Sequence, residues 1–244
     1  MIERSIAIIG GTGLTELEGL VIDQRRELDT PYGAPSAPLC LGSYYGQPVI
    51  FLARHGHGHM LPPHLINYRA NLWALHEIGV RRVLAVAAVG GIHPQLGPAT
   101  LAVPDQLIDY TWGRAHTYGR EGLVEHADFT EPYDASLRQR LIAASYHAKI
   151  EILAGGTYGV TQGPRLETAA EVRRLQRDGC DMIGMTAMPE AALARELGIA
   201  YATLAVSVNW AAGIGGGDIH AEITTSLALG MQRARAVIAA ALAV

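Results

Sequence analysis

The sequence predicts an α/β fold, a β-sheet covered by helices on both faces. Three observations point there. Residues 5–9, 83–89 and 200–208 are continuous apolar runs without polar alternation, as strands buried on both faces are. Segments with apolar residues at helical spacing separate such runs. Glycines and prolines punctuate the exchanges between them.

Taken in order, residues 5–9 form a strand that runs into Gly10-Gly11-Thr12-Gly13, and residues 48–53 form another that ends in Arg54-His55. Leu65, Tyr68, Leu72, Leu75 and Ile78 predict a helix over 64–78, with Gly79 as its C-terminal cap. Residues 83–89 form a buried strand ending in Gly90-Gly91, and residues 101–108 a strand bent at Pro104. A helix over 136–148, a strand over 156–160, a helix over 167–177 and a short strand over 181–185 follow. Pro189 suits the first turn of a helix over 189–197, and Gly198 its end. The very apolar strand 200–208 and a closing helix over 222–242 complete the chain. Residues 31–38 and 114–134 are polar connections. With no repeat or linker in view, residues 1–244 read as a single domain.

Composition narrows the function classes. Of 244 residues, 49% are apolar and 17% charged, which fits a well-buried core rather than disorder. A formal net charge of −4 offers no electrostatic grip on nucleic acid or an anionic membrane. Cys40 and Cys180 alone make neither a zinc site nor a disulfide framework. The start enters a strand without a signal peptide, and Arg233 and Arg235 break the most apolar tail. A soluble cytoplasmic protein is the expectation.

Candidate chemistry gathers at strand ends, where open α/β sheets hold ligands. Arg54 offers a planar fork of donors suited to phosphate or carboxylate, and Gly56 and Gly58 let the backbone turn closely around it. An internal salt bridge is the alternative for that cation. The Gly10–Gly13 loop could add N–H groups and the Thr12 hydroxyl, or be a tight turn. It lacks the spacing of a dinucleotide fingerprint, which leaves a nicotinamide oxidoreductase with little support. His55, His57 and His59 alternate with glycine, but no acidic residue or cysteine sits nearby to complete a metal set, and no metal is expected. Thr186 could donate to phosphate near a helix start or serve as an ordinary N-cap. Asn209 closes the most apolar strand and carries a donor and an acceptor that must be satisfied. Glu167 stands at a predicted helix start, where the dipole favours a carboxylate in any case. The glycine-rich loop 213–217 reads as a lid or binding loop.

Ile8-Ile-Gly-Gly-Thr-Gly-Leu14, Leu52-Ala-Arg-His-Gly56, Asn67-Tyr-Arg-Ala-Asn-Leu-Trp-Ala-Leu75, Gln162-Gly-Pro-Arg165 and Gly184-Met-Thr-Ala-Met-Pro-Glu-Ala191 together resemble the trimeric purine nucleoside phosphorylase and methylthioadenosine phosphorylase family over nearly the whole chain. The resemblance implies a single domain with a mixed, twisted central sheet, a homotrimer, and no metal or organic cofactor. It also implies phosphorolysis of a purine nucleoside, with inorganic phosphate as co-substrate. Carried over by position, Thr12, Arg54, His55, the backbone at Ala87 and Ala88, and Thr186 correspond to the phosphate site. His55 and Asn209 are the expected catalytic groups. Met185 corresponds to the residue under the ribose, Leu166 to an aromatic position near the base, and Asn209 to the purine reader. His126 and loop 213–217 are expected nearby.

Family members that use adenine nucleosides carry Asp where this chain has Asn209 and Ala211. Glu167 matches the carboxylate that accepts from N1–H of a 6-oxopurine, and adenine N1 carries no hydrogen. The resemblance therefore implies a 6-oxopurine nucleoside, foremost 5′-methylthioinosine. Inosine or guanosine, 5′-methylthioadenosine at a relaxed base site, and a non-catalytic nucleotide-binding module are the alternatives. Ile223 and Leu227 are candidates for an apolar 5′ pocket, and His220 for a 5′-hydroxyl contact or a plain helix-start residue.

Overall fold

The computed structural model describes residues 6–120 and 126–243. At its centre lie four parallel strands in the order β4 (Gln47–Ala53), β1 (Ile6–Gly10), β5 (Arg82–Gly91) and β11 (Ala200–Trp210). Antiparallel β3 (Leu39–Tyr44) and β2 (Leu20–Arg26) extend the β4 side. β10 (Met182–Gly184) joins β5 antiparallel and continues into β9 (Thr157–Val160) and β7 (Gln106–Asp109). β6 (Leu101–Ala102) and β8 (Ile152–Leu153) attach to β11. The sheet is mixed, as expected.

Both faces are covered, which is why the central strands read as unbroken apolar runs. Ile6 and Ile8 pack toward α2 (Ala135–His147) and α5 (Ile219–Ala243). Their neighbours Ala7 and Ile9 pack toward α1 (Tyr68–Glu77) and α4 (Ala187–Glu196). α3 (Ala169–Arg177) adds Val172 and Leu175 to a smaller cluster with Ile183 and Ala211.

A fork in this sheet opens the cavity. β11 pairs with β5 along its whole length and occupies one edge. On the other edge, β1 pairs only as far as Ile9↔Ala85, and β10 joins only at Gly90 and Gly91. Among the described residues, the stretch from Val86 to Val89 therefore has no strand beside it on that edge, and Ala87, Ala88 and Val89 line the cavity there.

Several elements differ from the sequence reading. β2 and β3 escaped it. β2 is mostly exposed and, among the described residues, an edge strand paired with β3 alone, so it carries no apolar face to read. The run 101–108 is two strands in different places, β6 and β7, because Pro104 cannot donate to a ladder. The first helix starts at Tyr68, where the Asn67 side chain accepts from the Ala70 N–H, and the preceding Pro63–Leu65 is a 3-10 turn. The last helix starts at Ile219 rather than 222, because Asp218 Oδ1 accepts from the N–H groups of His220 and Ala221 at 2.8 and 3.2 Å.

Candidate active site

The cavity at the fork has a volume of about 180 Å³. Its walls bring together Thr12, Arg54, His55, Ala87, Ala88, Leu166, Glu167, Met185, Thr186, Asn209, Ala211 and Ile223. These come from the ends of β1, β4, β10 and β11, from within β5, from the connection between β9 and α3, and from the first turns of α4 and α5. His220 is exposed and outside the wall, as is His126. Loop 213–217 does not line the cavity, although Ala212 and Ile219 beside it do. Leu227 packs against Gly13 instead, and the apolar pair in the wall is Ile219 with Ile223, one helical turn apart. Ile219 lay outside the helix assigned from sequence, which began three residues later.

Arg54 closes one end. It is fully buried. Its Nε and Nη2 donate to the two Glu190 carboxylate oxygens, each at 2.7 Å, and Nη1 donates to the Val86 carbonyl at 2.8 Å. The internal salt bridge is thus present. A guanidinium has five N–H groups, so two remain beyond these three bonds. Burial alone would lower the Arg54 pKa, but the charge and hydrogen bonds of Glu190 outweigh it and raise the value. Glu190 is buried too and accepts a third bond from the Tyr201 hydroxyl at 2.8 Å. A side chain on Gly11 would meet the Val86 carbonyl at 2.6 Å and Arg54 Nη1 at 2.9 Å, so only glycine lets the β1 loop approach this closely.

His55 lies beside it, buried. Its Nδ1 is 2.8 Å from the Leu61 carbonyl, and a carbonyl only accepts. The proton therefore sits on Nδ1 and Nε2 is left as an acceptor. Burial, then the neighbouring Arg54 charge, depresses the His55 pKa to about 4, so the ring is neutral near pH 7. His59 packs against it with ring centroids 4.3 Å apart and the rings tilted by 39°, and its Nε2 approaches the Thr12 hydroxyl at 3.5 Å. Sequence reading weighed His59 only as a metal ligand. Among the described residues, no group of three or more His, Cys, Asp or Glu is placed to hold a metal ion. Thr186 occupies the N-cap position of α4 but makes no capping bond, and Met188 departs from helical geometry just after it. Its buried hydroxyl is thus not committed to the helix end.

The opposite end is assembled differently. A β-bulge between Ser207 and Asn209 shifts β11 against β5, so the consecutive residues Val208 and Asn209 both line the cavity. The Asn209 Nδ2 donates to the Trp210 carbonyl at 2.7 Å, an amide orientation that leaves Oδ1 and one N–H available. Glu167 is not part of α3. That helix is capped by Thr168 and Glu171 in a reciprocal capping box. Glu167 instead stands in the wall, and its Oε1 accepts from the Thr161 hydroxyl at 2.5 Å. Leu166 beside it is 39% exposed. A second cavity, between Tyr110, Trp112, Arg165 and Arg174, shares Glu167 with the first but lacks the Arg54–His55–Thr186 group.

The cavity wall thus presents a cation, hydroxyls and strand backbone together with an amide and a carboxylate. Comparison with known proteins gives the family. The family model described as "Phosphorylase superfamily" matches residues 5–243. A probable S-methyl-5′-thioinosine phosphorylase of Xanthomonas campestris pv. campestris is 57% identical over 213 residues, covering 86% of this chain and 85% of that protein. A 6-oxopurine nucleoside phosphorylase of Pyrococcus furiosus is 45% identical over 228 residues, covering 89% of this chain and 84% of that protein. Among solved structures, methylthioadenosine phosphorylase from Schistosoma mansoni in complex with adenine superposes with a TM-score of 0.91 at 30% identity, over 98% of this chain and 91% of that one. By fold and by these matches, the chain belongs to the phosphorylase superfamily as a nucleoside phosphorylase.

Proposed function

We propose that the protein cleaves S-methyl-5′-thioinosine with inorganic phosphate, giving hypoxanthine and 5-methylthioribose 1-phosphate, with the whole chain acting as one catalytic domain. The observation that carries this reading is that Asn209 and Glu167 line the same cavity as Arg54, His55 and Thr186.

Phosphate lies against Thr12, the two uncommitted Arg54 N–H groups, Thr186 and the backbone at Ala87 and Ala88. The neutral His55 accepts a proton-bearing phosphate oxygen at Nε2. An unprotonated oxygen attacks C1′ of the sugar as the C1′–N9 bond breaks, with Met185 under the ribose ring. The bonding pair goes to the purine, whose developing negative charge is relieved by a proton taken up at N7 from solvent, while the phosphate gives up its own proton to solvent, so that the protons balance. Asn209 Oδ1 accepts from that N7–H, and its spare amide N–H donates to O6. Glu167 accepts from N1–H. A 6-aminopurine would set its unprotonated N1 against this carboxylate and its amino group against the amide donor, and mismatched buried polar groups discriminate strongly. Ala211 leaves no second carboxylate to serve an amino group. Binding both reactants in one cavity supplies the remaining advantage of orientation.

Two wall residues favour an apolar 5′-substituent over a hydroxyl: Ile219 and Ile223 line the cavity while His220 lies outside it. Inosine phosphorolysis is the second reading. We also infer a cytoplasmic homotrimer without metal or organic cofactor, on family likeness. Exposed Met60, Leu65 and Trp112 offer apolar surface for assembly.

The test is purine release from 5′-methylthioinosine, inosine, 5′-methylthioadenosine and adenosine, with and without phosphate. The proposal expects release only with phosphate, fastest from 5′-methylthioinosine. Faster turnover of either adenine compound refutes the base assignment, and faster turnover of inosine refutes the sugar assignment.

A further inference from the structure

Arg114 lies in the connection that follows β7, outside every motif discussed above, and is 9% exposed. Its guanidinium reaches two separate segments. On one side, Nη2 donates to the Gln162 carbonyl at 2.8 Å and the Thr161 carbonyl at 3.4 Å, and Nε donates to Gln162 Oε1 at 3.2 Å. On the other, Nη1 donates to the carbonyls of Met185 at 2.8 Å and Met188 at 2.6 Å. Nη1 also approaches the Tyr68 hydroxyl at 3.3 Å, and the cation lies 5.5 Å from the centre of the Tyr68 ring. Among the described residues no carboxylate forms a salt bridge with it.

A buried cation held only by neutral acceptors is a costly way to join two loops. The segments it joins explain the expense. Thr161 is the residue whose hydroxyl holds Glu167, and Met185 and Thr186 line the same cavity, where the proposed function places sugar and phosphate. The fork of Arg114 spans both with bonds fixed in one plane, which a flexible ammonium cannot reproduce.

We propose that Arg114 is a positioning residue that sets the Glu167 carboxylate in register with Met185 and Thr186, and so contributes to base selection without touching substrate. The proposal rests on the base-reading role given to Glu167 above. The readout is the ratio of kcat/KM for 5′-methylthioinosine to that for 5′-methylthioadenosine, both measured on one preparation. That ratio does not depend on how much of the protein is folded, so a merely structural role leaves it unmoved.

Glu167→Gln, Arg114→Met and Arg114→Lys are compared with the parent. Arg114→Met is expected to lower the ratio on the order of tenfold, and Arg114→Lys to lower it less, both in the direction of Glu167→Gln. If Arg114→Met does not fold, Gln162→Ala removes one of its bonds and is expected to lower the ratio by about twofold. A ratio moved by Glu167→Gln but unmoved by the Arg114 and Gln162 variants overturns the positioning role and leaves the base reading standing. A ratio unmoved by Glu167→Gln overturns both.

Discussion

At the end of the cavity proposed for phosphate, Arg54 is fully buried and holds three hydrogen bonds. At the end proposed for the base, Leu166 is 39% exposed, Glu167 hangs on one hydroxyl, and Asn209 stands on a bulge. The first is built from the ends of central strands and an ion pair that crosses the core. The second is built from loops, a bulge and a helix start. Tight anion binding needs donors that do not reorganise, and the core supplies them. Choice of base and sugar needs only a few side chains, and these stand where replacement disturbs little packing.

The largest effect expected from this contrast lies at the phosphate end. Glu190→Gln leaves the Arg54 charge buried with half its partner gone. It is expected to destabilise the fold by about 3–5 kcal/mol, read by chemical denaturation, and to weaken phosphate use in whatever folds. A loss below about 1 kcal/mol would mean the pair is not the structural clamp described here.

His55 provides a pH-dependent counterpart. Its pKa falls from the ordinary 6.5 to about 4 in the folded protein, through burial and then Arg54. The unfolded chain therefore binds more protons between those values. The stability that His55 contributes is complete above about pH 6.5 and is lost as pH falls toward 4, by up to about 3 kcal/mol. His55→Gln should flatten this part of the stability–pH curve. An unchanged slope would show that other groups carry it.

At the base end the effects fall on selectivity rather than stability. Asn209→Asp should lower kcat/KM for the 6-oxopurine substrate about a hundredfold relative to the adenine one, with a melting temperature close to the parent's. Ile223→Thr, the smallest change, should cost about fivefold on 5′-methylthioinosine and spare inosine. An equal loss on both would remove Ile223 from the 5′ pocket.

The two ends also differed in how far the sequence could be read. Thr12, Arg54, His55 and Thr186 each follow an apolar strand, so the strand ends that meet at the cavity were legible from hydrophobic runs and glycines. The partner of Arg54 was not, because Glu190 lies 136 residues away and looked like part of a helix. Asn209 was legible as a strand-end amide, but the bulge that turns it into the cavity appears only once β11 is laid against β5. Ile219 was missed because the α5 start was placed at a charged residue. Glu222 is engaged elsewhere, accepting from the Trp210 N–H at 2.9 Å. Arg114 bore no local signal at all, since every acceptor it holds is distant in sequence.

The central claim is that one cavity holds phosphate and a 6-oxopurine side by side, and a crystal structure with phosphate and hypoxanthine bound together tests it most directly. The account predicts phosphate within hydrogen-bonding distance of Arg54, Thr12 and Thr186, with hypoxanthine N7 at Asn209 and N1 at Glu167. Hypoxanthine seated instead between Tyr110 and Trp112, or phosphate bound away from Arg54, would contradict it.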